Sequence, residues 1–233
     1  MNTLLWTQLT CLFLLVIISL TYRSQYLPFK FFATLFAVST LVLLLAGIVT
    51  LVKVGIAYQQ QEPLNLATAC ALLMAVVVIV ATAMFVKKAA TYPAIHDISS
   101  STQNPPEFSH ALSLRSLGDN PLDYNAKVIQ QQKAAYPELE SLKTTLPFAE
   151  AFEKAKVIAV AQGWSITHAN EDDGYIEAVA RSALFRFADN IVIRVSKAEE
   201  GSVIDVRSAS RVGKSDLGVN AKRIKGYFLA YTQ

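Results

Sequence analysis

Trp164-Ser165-Ile166-Thr167-His168-Ala169-Asn170-Glu171-Asp172-Asp173-Gly174-Tyr175-Ile176-Glu177-Ala178-Val179-Ala180-Arg181 is the stretch from which the fold is read. Trp164, Ile166 and His168 alternate with Ser165 and Thr167, a period of two that suits a strand with one buried face. Asp172-Asp173-Gly174 supplies hairpin-turn residues, and Tyr175–Arg181 returns as the partner strand. Residues 189–196 place Ile191, Ile193 and Val195 on one side, and Ser202–Ser210 follows across Glu199-Glu200-Gly201 as a second hairpin. Four consecutive strands with short turns predict an antiparallel meander.

Working outward, the period lengthens to that of a helix on both sides. Upstream, Phe148, Ala151, Phe152, Ala155, Ile158 and Ala159 recur at the spacing of one buried helical face. Pro147 suits the first turn and Gly163 a left-handed cap. A shorter helix over residues 124–135 stops at Tyr136-Pro137. A last helix runs from residue 216 to about 231. The expectation is an α+β domain, a four-stranded antiparallel meander flanked by helices. Before it, residues 92–98 read as a linker, and residues 112–123 as irregular chain with a turn at Gly118-Asp119-Asn120-Pro121.

The first third of the chain is a different polymer. Residues 1–92 hold only five of the 21 Lys and Arg and one of the 18 acids. Three apolar runs, about 4–20, 31–52 and 65–86, approach or exceed the roughly 20 residues that cross a bilayer as a helix. The first is the shortest and carries Thr7, Gln8 and Thr10, but Met1-Asn2-Thr3 offers no basic segment for a signal peptide. Residues 1–92 therefore read as an all-α transmembrane module of three helices, and residues 93–233 as a soluble domain. Arg23, Lys30, Lys87 and Lys88 flank one side of the membrane and Lys53 the other, a count that places the soluble domain in the cytoplasm. No charge lies inside a run, so an anchor fits better than an ion path.

From Arg207 to the C-terminus six cations face Asp216 alone, although the soluble domain as a whole is slightly acidic. Arg207-Ser208-Ala209-Ser210-Arg211-Val212-Gly213-Lys214-Ser215-Asp216-Leu217-Gly218-Val219-Asn220-Ala221-Lys222-Arg223-Ile224 covers a strand end, a loop and a helix start. Arg207, Arg211, Lys214, Ser215, Asp216, Asn220 and Arg223 are its candidate ligand-binding residues, for an anion held by cations and helix amides. On the strands, Glu177, Arg181, Arg194, Asp205 and Arg207 alternate with apolar positions. They form either a solvated face or a polar site walled by the loop after Ser210. His96, Asp97, Arg194 and Asp205 are secondary candidates.

Other chemistries find no support. Gly213-Lys214-Ser215 is not a phosphate loop, because Ser208 stands where the motif needs Gly and the strand before it is antiparallel. His96, His110 and His168 are not at metal-ligand spacing, and Cys11 and Cys70 both fall in apolar runs. No metal, cofactor or nucleic acid is expected.

Ile95-His96-Asp97-Ile98, Asn104-Pro105-Pro106-Glu107-Phe108, Tyr136-Pro137, Gly163-Trp164, Ile176-Glu177-Ala178, residues 185–194 and the run over 207–224 together resemble the domain of unknown function 1499 family, found in bacteria and photosynthetic plastids. The likeness covers essentially all of residues 93–233. Ser99-Ser100-Ser101-Thr102-Gln103 departs from the Thr/Asp-rich stretch expected there. The resemblance implies a membrane-linked domain of unassigned activity, and no catalytic residue is carried over from it. It also implies, against the flanking-charge count, a domain outside the cytoplasm, on the periplasmic side of a bacterial inner membrane.

Three functions follow as expectations. The first is a non-catalytic envelope protein that binds an anionic small molecule, a lipid headgroup or a protein partner. The second is a membrane-anchored hydrolase or transferase using His96 with Asp205 or Asp216. The third is a purely structural envelope protein.

Overall fold

In hydrocarbon a chain must satisfy its amides internally, and a helix does so locally. The computed structural model, which describes residues 3–233, folds the apolar runs into α1 (Thr3–Arg23), α2 (Phe29–Gln59) and α3 (Leu66–Thr91). Each is long and apolar enough to cross a membrane. The chain divides into two compact units, Met1–Ala90 and Thr91–Gln233. Within the first, α1 lies along α2, where the buried Gln8 Nε2 donates to Thr50 Oγ1 at 3.2 Å. The polar residue that made the first run look weak is thus a packing contact between helices.

The second unit is α+β. After a short strand β1 (Asp97–Ser99), a single 3-10 turn spans His110–Leu114. Then follow α4 (Ala126–Ala135), β2 (Leu142–Thr144), α5 (Phe148–Ala161), β3 (Ser165–Asn170), β4 (Tyr175–Arg181), β5 (Ala188–Lys197), β6 (Ser202–Ser210) and α6 (Val219–Thr232). The strands form one antiparallel sheet in the order β1-β6-β5-β4-β3, with β2 also on β6. The meander expected from the sequence is its sequential part. The linker expected at residues 92–98 instead contributes β1, because Asp97, Ile98 and Ser99 complete the free edge of β6.

Local chemistry explains the helix limits. Asn125 Oδ1 accepts from the amides of Lys127 and Val128 and so starts α4. Pro147 precedes α5, whose cap closes with Gly163 in the left-handed region at φ 76°. α6 begins at Val219, three residues later than expected, because Leu217 and Gly218 both take positive φ and cannot join a helix.

One sheet face packs against α5 and α6. Ile176, Ala178, Ile191, Ile193, Ile204, Val206 and Ile98 meet Phe152, Ala155, Ile224 and Tyr227 there, with Trp164 stacked on Tyr227 at 5.1 Å. Tyr227 and Tyr231 donate to the carbonyls of Ala155 and Ala151, which ties α6 to α5. The sequence pattern places His168 on this side, but the pairing of β3 with β4 shifts register between Ile166 and His168. One extra residue turns the next side chain to the other face. There the His168 ring stacks on His110 at 5.4 Å.

Candidate functional site

The other face of the sheet carries the charged residues. Pairing aligns Glu177 with Val192 and Arg207, and Arg194 with Asp205. On this face Glu177, Asp205 and Arg207 are buried and Arg194 is largely covered, whereas Arg181 is exposed. Residues 104–124 cross the face as a strap, with Phe108, Ala111 and Leu122 packed on Val192 and Ala209.

The buried Glu177 anchors this strap. Its Oε1 accepts from Ser109 N, Ser109 Oγ and His110 N at 2.7–2.8 Å, and its Oε2 from Ala111 N at 2.7 Å. Burial pushes the carboxyl pKa up, but these bonds at the start of the 3-10 turn outweigh it and hold the group below the usual range. Arg207 anchors the strap's flanks. It pairs through two bonds with Asp97 and donates to the carbonyls of Pro106 at 3.1 Å and Leu122 at 2.9 Å. The rings of Phe108 and Tyr124 lie 4.9 and 5.2 Å from its guanidinium carbon. Arg194 bonds Asp205 and the Asn104 carbonyl, each at 2.7 Å, while Asp205 also accepts from Ser141.

The run after Arg207 spreads over different surroundings. On the helix side, Asn220 joins four groups: its amide donates to the His96 carbonyl and to Ser210 Oγ, and its Oδ1 accepts from Ser208 Oγ and Arg223. Arg223 also pairs with Asp189 at 2.5 Å. Asp216 accepts the amides of Gly218 and Asn220 and so caps α6. Burial raises its pKa, partly opposed by those two amides. Ser215 Oγ donates to the Pro93 carbonyl at 3.0 Å. At Gly218 a side chain would meet the Tyr92 ring at 2.3 Å, so this loop needs glycine for space as well as for its φ of 78°. Lys214 is exposed.

Arg211 has the least compensated surroundings. Its Nε donates to Asn190 Oδ1 at 3.0 Å, and Arg115 Nη1 donates to the same oxygen at 2.8 Å. Arg211 Nη1 reaches the Leu114 carbonyl and Arg115 Nη2 the Asn120 carbonyl. Every one of these acceptors is neutral. Among the described residues neither guanidinium has an ion pair, and the buried Asn190 Nδ2 has no partner. Burial lowers both pKa values; Asp119 opposes the shift at both, joined by Asp97 at Arg115 and by Asp189 at Arg211, while Arg211 and Arg207 lower Arg115 further and Arg181 lowers Arg211. Both remain charged at neutral pH. Asp119 itself accepts from the Ser116 amide in the turn beside them.

The candidates from the sequence therefore do not share one pocket. Arg207, Arg194, Asp97 and Asp205 lie under the strap, Asn220 and Arg223 lie between sheet and α6, and Arg211 stands at the end of β6. His96 contributes its carbonyl, and Asp205 and Asp216 are engaged elsewhere, so no His–Asp pair is assembled among the described residues. No cluster with metal-ligand character occurs among them. Sequence reasoning missed Arg115 and Asn190. Arg115 sits in irregular chain with no periodic signal, and Asn190 looks like one more polar strand position.

A family model described as "Protein of unknown function (DUF1499)" matches residues 97–230. The chain belongs to the DUF1499 family. The matched segment begins at β1 and ends within α6, so it contains the whole sheet of this DUF1499 domain and its strap, and excludes the three apolar helices. No curated protein matches the chain.

Proposed function

We propose that this DUF1499 protein is a membrane-anchored, non-catalytic binding protein whose domain holds an anionic group at Arg115 and Arg211. The observation that carries the reading is the shared use of one neutral oxygen, Asn190 Oδ1, by two half-buried guanidiniums with no carboxylate paired to either. Burying like charges side by side is costly unless an opposite charge joins them. An oxyanion would supply that charge and acceptors for the unused N–H groups. The other arginines of the 207–224 run serve the fold, because Arg207 and Arg223 already have buried carboxylate partners. We place the domain on the periplasmic side of an inner membrane, following the family resemblance over the flanking charges; a reporter fused after Gln233 tests that side.

The binding test is native mass spectrometry of the detergent-extracted chain. The expected result is a retained anionic species that is lost from the Arg115→Ala, Arg211→Ala double variant while its melting temperature stays near that of the parent. Retention of the same species by a folded double variant overturns the reading.

A further inference from the structure

Arg211 does more than face Asn190. Its amide donates to the Ala188 carbonyl, its carbonyl accepts from the Asn120 amide, and its guanidinium reaches Leu114. Through one residue, the strap's turn, the β4–β5 connection and the loop after β6 are joined at one end of the sheet. The polypeptide enters the domain at the same end. The Ser215 hydroxyl bonds the Pro93 carbonyl, and the Asp216 amide bonds the Ile95 carbonyl. In the sequence only Lys87–Thr91 separates Tyr92 from Val86, the last residue of the third apolar run.

These connections expose an unusual mixture. Leu117, in the strap's turn, is fully exposed, Leu184 in the β4–β5 connection is 70% exposed and Leu112 is 60% exposed. The same segments carry Arg115, Arg181, Arg186, Arg211 and Lys214. Of the acids that act on these cations, Asp97 is paired with Arg207 and Asp189 with Arg223, and Asp216 in the same loop is consumed as a cap, so Asp119 is the one of these four with no such partner. Arg186 keeps its place in the connection despite a φ of 58°, a conformation more usual for Gly or Asn. Exposed leucines ringed by cations suit a bilayer interface with anionic headgroups, where apolar side chains enter the acyl boundary and arginines meet phosphates.

We infer that this end of the domain is a docking surface for an anionic bilayer, with Leu117, Leu184 and Leu112 entering the interface and Arg181 and Arg186 on lipid phosphates. The inference rests on the anion-binding reading of Arg115 and Arg211 and names a headgroup phosphate as the group they hold.

The test uses the full chain in nanodiscs, in a Trp6→Phe background that leaves the buried Trp164 as an internal standard. Leu117→Trp is compared with Val157→Trp, a control on the exposed side of α5. The discs contain acyl-brominated lipid, either phosphatidylcholine alone or two parts phosphatidylcholine to one part phosphatidylglycerol. Leu117→Trp emission is expected to fall about twofold or more relative to the control in the anionic discs only. Salt at about 1 M, which shortens the screening length to roughly 3 Å, is expected to restore it. Equal emission of the two variants in anionic discs overturns the proposal, as does quenching of Leu117→Trp in zwitterionic discs as strong as in anionic ones. If the parent retains a soluble anion in detergent but Leu117→Trp shows no quenching, docking alone fails. If Leu117→Trp is quenched as strongly after Arg115→Ala and Arg211→Ala, Arg115 and Arg211 hold no headgroup phosphate and the anion reading fails while the leucine contact stands.

Discussion

Arg207 and Asp97 lie 110 positions apart and meet in a two-bond pair, Nε to Oδ1 at 3.0 Å and Nη2 to Oδ2 at 2.8 Å. Their side chains are 5% and 2% exposed, so the pair is shielded from water by the strap over residues 104–124. Asp97 belongs to the edge strand β1, and Arg207 also holds the carbonyls on both flanks of that strap. One guanidinium thus joins the edge strand, the sheet and its covering segment.

Breaking this pair on one side leaves a buried, uncompensated charge. Arg207→Ala or Asp97→Ala is predicted to lower unfolding stability by about 3–5 kcal/mol. Urea unfolding followed by Trp164 fluorescence in a Trp6→Phe background measures it. The double variant should lose less than the sum of the singles; additive losses would show that the two groups are not coupled.

Glu177 predicts an acid sensitivity. Its folded pKa lies below the ordinary value of 4.5, so its contribution is complete above that pH and is lost as pH falls from there through the folded pKa. Glu177→Gln should cost about 1–3 kcal/mol near neutrality and flatten the acid limb of the stability curve. An unchanged acid limb would rule out Glu177 as its source.

Asp216 has the opposite sign. Burial raises its folded pKa above 3.8, so the folded state holds the proton more tightly and stability declines as pH rises from that value through the folded pKa. Asp216→Asn should remove this slope. Asp216→Ala should in addition cost about 1 kcal/mol through loss of the cap on α6. Both are read from thermal melts across pH, and a slope that survives in Asp216→Asn contradicts the assignment.

Two glycines give opposite outcomes. At Gly201, with φ 84°, a Cβ would sit 2.0 Å from the Thr144 carbonyl oxygen where β2 meets the β5–β6 turn. Gly201→Ala should destabilise by more than about 1 kcal/mol. Gly226, inside α6, has no atom within 4 Å of its would-be Cβ. Gly226→Ala should stabilise by about 0.5–1 kcal/mol. Equal melting temperatures for the two variants would be inconsistent with this packing.

Much of the architecture was legible because it is local. The three apolar runs, the helix between Pro147 and Gly163, and the alternation along β4, β5 and β6 are periods visible within ten to thirty residues. β1 and β2 were not legible: three residues hold too little pattern, and both strands exist because β6 offers edges to them. The bulge that turns His168 away from the core was equally hidden, since it depends on register against β4.

For the candidate site the division is sharper. Composition by itself determined that the tail of the chain is cationic and that three runs long and apolar enough to cross a membrane precede it. Which cations are already neutralised was decided only by tertiary structure. Arg207 and Arg223 find Asp97 and Asp189, while Arg211 finds Arg115 across a shared asparagine. Charge along a chain is a local property, but pairing depends on which distant segments cross the same sheet face, and that path is set by the packing of the whole domain.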